Sequence, residues 1–184
     1  MASHNTGSDS ANTNVRAFLT KIGAHYLGKS FNHSSGKAKL YWRKIVEETF
    51  NSKCAYCGVS EKQSKLTMEH LIMFNRTECG LHHPGNVVPC CTPCNKRERG
   101  QDKNFIKWEE HLTFICKDRK EKMRERKKTI MNHIKNEKYP NLSKNEIAAI
   151  KAISKHLYSS TQSELDKAFS LFTNIDETIV NKKL

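Results

Sequence analysis

The sequence predicts an α+β chain in which α-helices flank a small cysteine-rich centre closed by a metal. Three observations lead there. Apolar residues recur at helical spacing before residue 53 and after residue 102. Between those positions the helical period is replaced by two short runs, LTMEHL and NVVPC, whose length and composition suit strands. The same window carries two CxxC pairs, Cys54–Cys57 and Cys91–Cys94. With 184 residues, one domain with appendages is expected. The expected divisions are a disordered leader over 1–14, helices over 15–52, the metal-stabilised core over 53–102 and a helical region over 103–184.

The first helix is expected from Val15, Phe18, Leu19, Ile22 and Tyr26, with Gly28 as its stop signal. The loop SFNHSSG leads to a second, over roughly 37–52, with Tyr41/Ile45 and Trp42/Val46/Phe50 as apolar rows. Beyond the core, Phe105, Trp108, Leu112 and Ile115 predict a helix near 103–116. It is expected to run on into a projecting basic helix that Tyr139-Pro140 ends. Ser143 with Glu146, and Thr161 with Glu164, read as capping boxes opening two further helices.

Charge narrows the partners. Thirty-two Lys and Arg against nineteen Asp and Glu give a net +13, which points to a polyanion, most simply nucleic acid. The excess lies beside the cysteines: residues 36–53 carry 5 basic and 2 acidic groups, and 101–138 carry 12 and 7. No apolar run is long enough to span a membrane. The first residues lack the pattern of an export signal, so a reducing, cytoplasmic setting is expected. There, CxxC pairs mean metal or redox chemistry rather than a disulfide framework.

Each CxxC pair can wrap a tight turn that aims two sulfurs at one point. Two pairs supply the closed tetrahedral thiolate set of a structural zinc, one per chain, with Zn–S bonds of about 2.3 Å. Gly58 suits the first knuckle turn. Cys90 with Cys94 would be another arrangement, but the matching CxxC spacing favours Cys91 and Cys94. Strand alternation would also turn Cys90 away from Cys91. Cys79 and Cys116 read as small buried thiols.

Between and behind the knuckles stand Glu69-His70, Asn86 and Asn95. Thr92-Pro93 reads as a helix start, which would put Asn95 and Arg99 on one helix face. Taken singly, each polar residue reads as loop chemistry; their joint spacing is more specific. CAYC, EH, N and CTPCN follow in that order, with 16 positions from His70 to Asn86 and 9 from Asn86 to Asn95. This pattern resembles the zinc-knuckle branch of the HNH nucleases, over about residues 53–100.

The resemblance implies a ββα-metal core and a metal-dependent DNA endonuclease, a phosphodiester hydrolase that includes restriction enzymes among its forms. It makes His70 the general base, since an imidazole accepts a proton near neutral pH. It makes Glu69 and Asn95 the ligands of a catalytic Mg²⁺ or Mn²⁺, and Asn86 the residue that orients the base. Three departures stand out: Glu69 where Asp is commoner, Glu98 where a Lys is frequent, and His82-His83 in the connecting loop. Either of those histidines would serve as another base, a DNA contact or a plain loop residue. Lys96, Arg97, Arg99 and Arg76 are the expected DNA contacts, on double-stranded DNA. A homodimer follows only if both strands are cut. The competing function is a zinc-stabilised nucleic-acid-binding module without catalysis.

Overall fold

The computed structural model describes residues 6–31, 36–117 and 119–180, the last five as backbone alone. The first helix, α1 (Gly7–Leu27), starts well inside the expected leader. Thr6 and Asp9 form a capping box, the Asp9 amide donating to Thr6 Oγ1 at 3.2 Å. Ala11, Val15, Leu19 and Gly23 make one buried row four residues apart. Its first member is a small residue among Ser, Asn and Thr, which hid the row in the sequence. Gly28 ends the helix at φ +72°, as its position predicts.

The second helix, α2 (Gly36–Lys44), passes into a π-helical turn, Ile45–Thr49, and that turn buries Ile45 and Val46. Phe50 is buried directly after it. The expected strands form an antiparallel pair, β1 (Leu66–His70) and β2 (Val87–Cys91), with Glu69 opposite Val88 and His70 opposite Val87. All five residues of β2 are buried, which accounts for its unbroken apolar run.

The helix expected at Thr92-Pro93 does not form. Thr92–Cys94 make a single turn closed by Asn95 N–H on the Cys91 carbonyl at 2.9 Å, and the chain then runs irregularly to Arg99. That path carries the Arg97 side chain under the sheet, where it bonds the Leu71 carbonyl and Glu69. Asn95 and Arg99 therefore share no helix face.

The next helices are separate: α3 (Trp108–Ile115) and α4 (Lys120–Asn136). The basic first half of α4 is exposed, as expected. Its second half packs on the core through Ile130 and His133, and His133 Nε2 donates to the carbonyls of Pro84 (3.0 Å) and Val87 (2.9 Å).

A single helix, α5 (Lys144–Val180), replaces the two expected. The Ser143/Glu146 box is present. Thr161, by contrast, lies mid-helix, its hydroxyl donating back to the Leu157 carbonyl at 2.8 Å. This helix runs antiparallel to α1. Tyr26 bonds Glu146 near one end, and Asn14 bonds Thr161 towards the other. Val15, Leu19, Leu81, Cys79 and Ile150 form the core there, while a larger core surrounds the cysteines. Among the described residues, no helix is long and apolar enough to cross a membrane.

Candidate functional site

Two knuckles build a cluster of four cysteines that could hold a metal ion. In the first, Gly58 N–H closes on the Cys54 carbonyl at 3.0 Å, with Gly58 at φ +80°. A bond from Ala55 N–H to the Pro89 carbonyl at 2.8 Å ties this knuckle to β2. The second knuckle is the turn after β2. Together they bring the sulfurs of Cys54, Cys57, Cys91 and Cys94 within 4.8 Å of one another. The Cys57 and Cys91 sulfurs are 3.6 Å apart. Tetrahedral Zn–S bonds of about 2.3 Å require edges of about 3.8 Å, so the set fits zinc. It is far too open for a disulfide, which needs about 2.05 Å.

Cys90 lies outside this four-sulfur set, with its thiol on the Cys91 carbonyl at 3.5 Å. Cys79 and Cys116 are buried thiols bonded to Ser154 and to the Tyr56 carbonyl. His111 adds an outer contact that the motifs did not reveal, its Nε2 donating to the Cys94 carbonyl at 2.8 Å. Its place three residues after Trp108 on α3 was the available signal.

His70 ends β1 beside the loop that joins the strands. Asn86, buried in the short turn just before β2, spans that loop. Its Oδ1 accepts from Ile72 N–H at 2.8 Å, and its Nδ2 donates to the Ile72 and Leu81 carbonyls, both at 2.9 Å. Leu71 N–H bonds the Asn86 carbonyl at 2.8 Å. Asn86 thus fixes the chain on the C-terminal side of His70. The His70 ring stacks on Phe74 with centroids 4.8 Å apart and planes 14° apart, and its Nε2 lies 3.1 Å from His82 Nδ1.

Glu69 points elsewhere. Successive residues of a strand face opposite sides, and Glu69 is buried in an ion pair with Arg97, Oε1 to Nη2 at 2.7 Å. Arg97 also donates to the Tyr56 hydroxyl and the His70 and Leu71 carbonyls. Burial pushes the Glu69 carboxyl up from its ordinary range, and the Arg97 charge pulls against that. Asn95 donates from Nδ2 to Thr67 Oγ1 at 3.0 Å, on the Glu69 side of β1. As arranged, Glu69 and Asn95 are not an open pair of oxygen ligands, and they do not fit Mg²⁺ or Mn²⁺.

The expected DNA contacts divide. Lys96 and Arg99 are exposed beside the second knuckle. Arg97 is buried at 6% exposure and has its partners inside the protein, which corrects its reading as a DNA contact. Arg76 is exposed with its guanidinium 3.8 Å above the Tyr158 ring.

The two loop histidines also separate. His83 is a structural cap: its Nδ1 accepts from Gly85 N–H at 3.1 Å. Desolvation, helped by the nearby His133 and His82, pulls it down to about 4. His82 instead meets His70. Comparison with protein-family models, with curated proteins and with solved structures finds no match to this chain.

Proposed function

We propose that the chain is an HNH-type endonuclease that hydrolyses phosphodiester bonds in DNA, with His70 as general base. The observation that carries this reading is the hydrogen-bonded frame of Asn86, which holds the loop behind His70 at the end of the strand pair opposite Cys91. A base acts only when its nitrogen sits at a fixed place relative to the attacking water, and such a frame supplies that place. His70 takes a proton from water, the hydroxide oxygen bonds to phosphorus, and the bond from phosphorus to the 3′ oxygen breaks as that oxygen takes a proton from solvent water. The ends left are a 5′ phosphate and a 3′ hydroxyl. Lys96 and Arg99, exposed on the net-basic chain, suit phosphate contacts that position the strand. Zinc, held by Cys54, Cys57, Cys91 and Cys94, would pin the two knuckles together.

Arg97 closes Glu69 to a catalytic cation. A divalent ion at Glu69 and Asn95 would have to displace the guanidinium. That same closure favours the second reading, a zinc-stabilised nucleic-acid-binding module without chemistry. Incubating the protein with supercoiled plasmid, with added Mg²⁺ or Mn²⁺ and with EDTA, separates the two. Nicking lost in His70→Ala is the expected result. No nicking under any condition, or equal nicking by the variant, would overturn the nuclease reading. A requirement for the added ion would show that cleavage uses a divalent cation.

A further inference from the structure

We infer that His82 is a positioning residue for His70, and that α1 and Phe31 exist in part to hold it there. The proposal rests on the reading of His70 as a general base. His82 Nδ1 and His70 Nε2 are 3.1 Å apart, within hydrogen-bond reach for ring nitrogens. The His82 ring is enclosed on several sides: Phe31 at 5.1 Å, Phe74 at 5.5 Å and His70 at 5.3 Å between centroids, with 8% of the residue exposed. Its backbone is clamped as well. A Cβ on Gly23 of α1 would stand 2.3 Å from the His82 carbonyl oxygen, so only glycine lets the helix approach so closely. Phe74 stacks on His70 and also touches His82, so the two imidazoles share one aromatic support.

A neutral imidazole carries one N–H and one lone pair. With His70 Nε2–H donating to His82 Nδ1, the lone pair of His70 lies on Nδ1, the nitrogen that must take the proton from water. Once His70 is protonated, His82 Nδ1 still accepts from Nε2–H and steadies the imidazolium. A carboxylate fills this place in hydrolase triads; here a second imidazole fills it.

The test uses the full, zinc-loaded chain. In the unaltered protein, nitrogen-15 NMR at alkaline pH should show His70 protonated at Nε2, with a scalar coupling across the N–H···N bond to His82. His70 protonated at Nδ1, or no coupling, overturns the proposal whether or not the chain cuts DNA. In plasmid cleavage, His82→Phe keeps the ring packing but removes the acceptor. It should lower kcat by about 10–10⁴-fold, the upper end being the loss when the carboxylate that orients a triad histidine is replaced. KM should stay unchanged. His82→Asn, which returns an acceptor oxygen near the Nδ1 position, should recover part of that loss. On a His70→Ala background His82→Phe should add nothing further. Full activity in His82→Phe, with His70→Ala inactive, would sink this inference and leave the nuclease reading standing. Equal activity in His70→Ala and the unaltered protein would sink both.

Discussion

Glu69 and Arg97 face each other with side chains 7% and 1% exposed, so neither charge can fall back on water. Their attraction does little more than offset the desolvation of both groups, but removing one partner leaves the other charge buried and alone. Arg97→Met should therefore cost about 3–5 kcal/mol in urea unfolding. The double change Arg97→Met, Glu69→Leu should recover most of that. His83 sets a different single-residue expectation. Its native pKa, about 4, lies below the ordinary 6.5 because burial disfavours the charged ring. The stability it contributes is full above pH 6.5 and is lost as pH falls toward 4. Protonating Nδ1 would also break its bond from Gly85. Unfolding midpoints measured from pH 7 down to pH 4 should fall, and the fall should be shallower in His83→Asn. The sequence marks the four cysteines that meet through their motif spacing, and His70 and Asn86 only through the family resemblance. It gave Arg97 to DNA, since a side chain that turns inward to meet Glu69 leaves no mark in local spacing.

At the scale of elements, both knuckles are anchored on β2. The first is tied to β2 by Ala55 on Pro89, and the second grows directly out of β2. A metal across them would fasten the first knuckle to the end of β2. Zinc content should be near one per chain by atomic absorption. Cys91→Ser should lose the metal and lower the melting temperature, whereas Cys90→Ser should keep it. Both strands were legible because their short β-rich runs are bounded by turn residues. Three features were not. The start of α1 was hidden because its buried row begins with Ala11 among polar residues. The helix after Cys94 failed because the path to Glu69 overrode the Thr92-Pro93 start signal. The break expected at Thr161 is bridged because its hydroxyl bonds back to Leu157 within a continuous helix.

Across the whole molecule, the net +13 is unevenly placed: the exposed half of α4 and the residues behind the second knuckle are basic, and 139–184 is nearly balanced at 6 basic and 5 acidic groups. DNA affinity should fall steeply with salt, because each phosphate contact releases counterions. Lys96→Ala and Arg99→Ala should each reduce the slope of log K against log salt by about 1. Arg97→Met should leave the slope alone and act through stability, which separates a buried arginine from a surface one.

The general-base role of His70 is tested most directly by one rate. Single-turnover cleavage of an end-labelled duplex should be compared between the unaltered protein and His70→Ala, both carrying one zinc and both saturated with DNA. Loss of a general base should slow cleavage by about 10²–10⁴-fold with DNA affinity unchanged. Equal rates, or a loss explained by weaker binding alone, would contradict it.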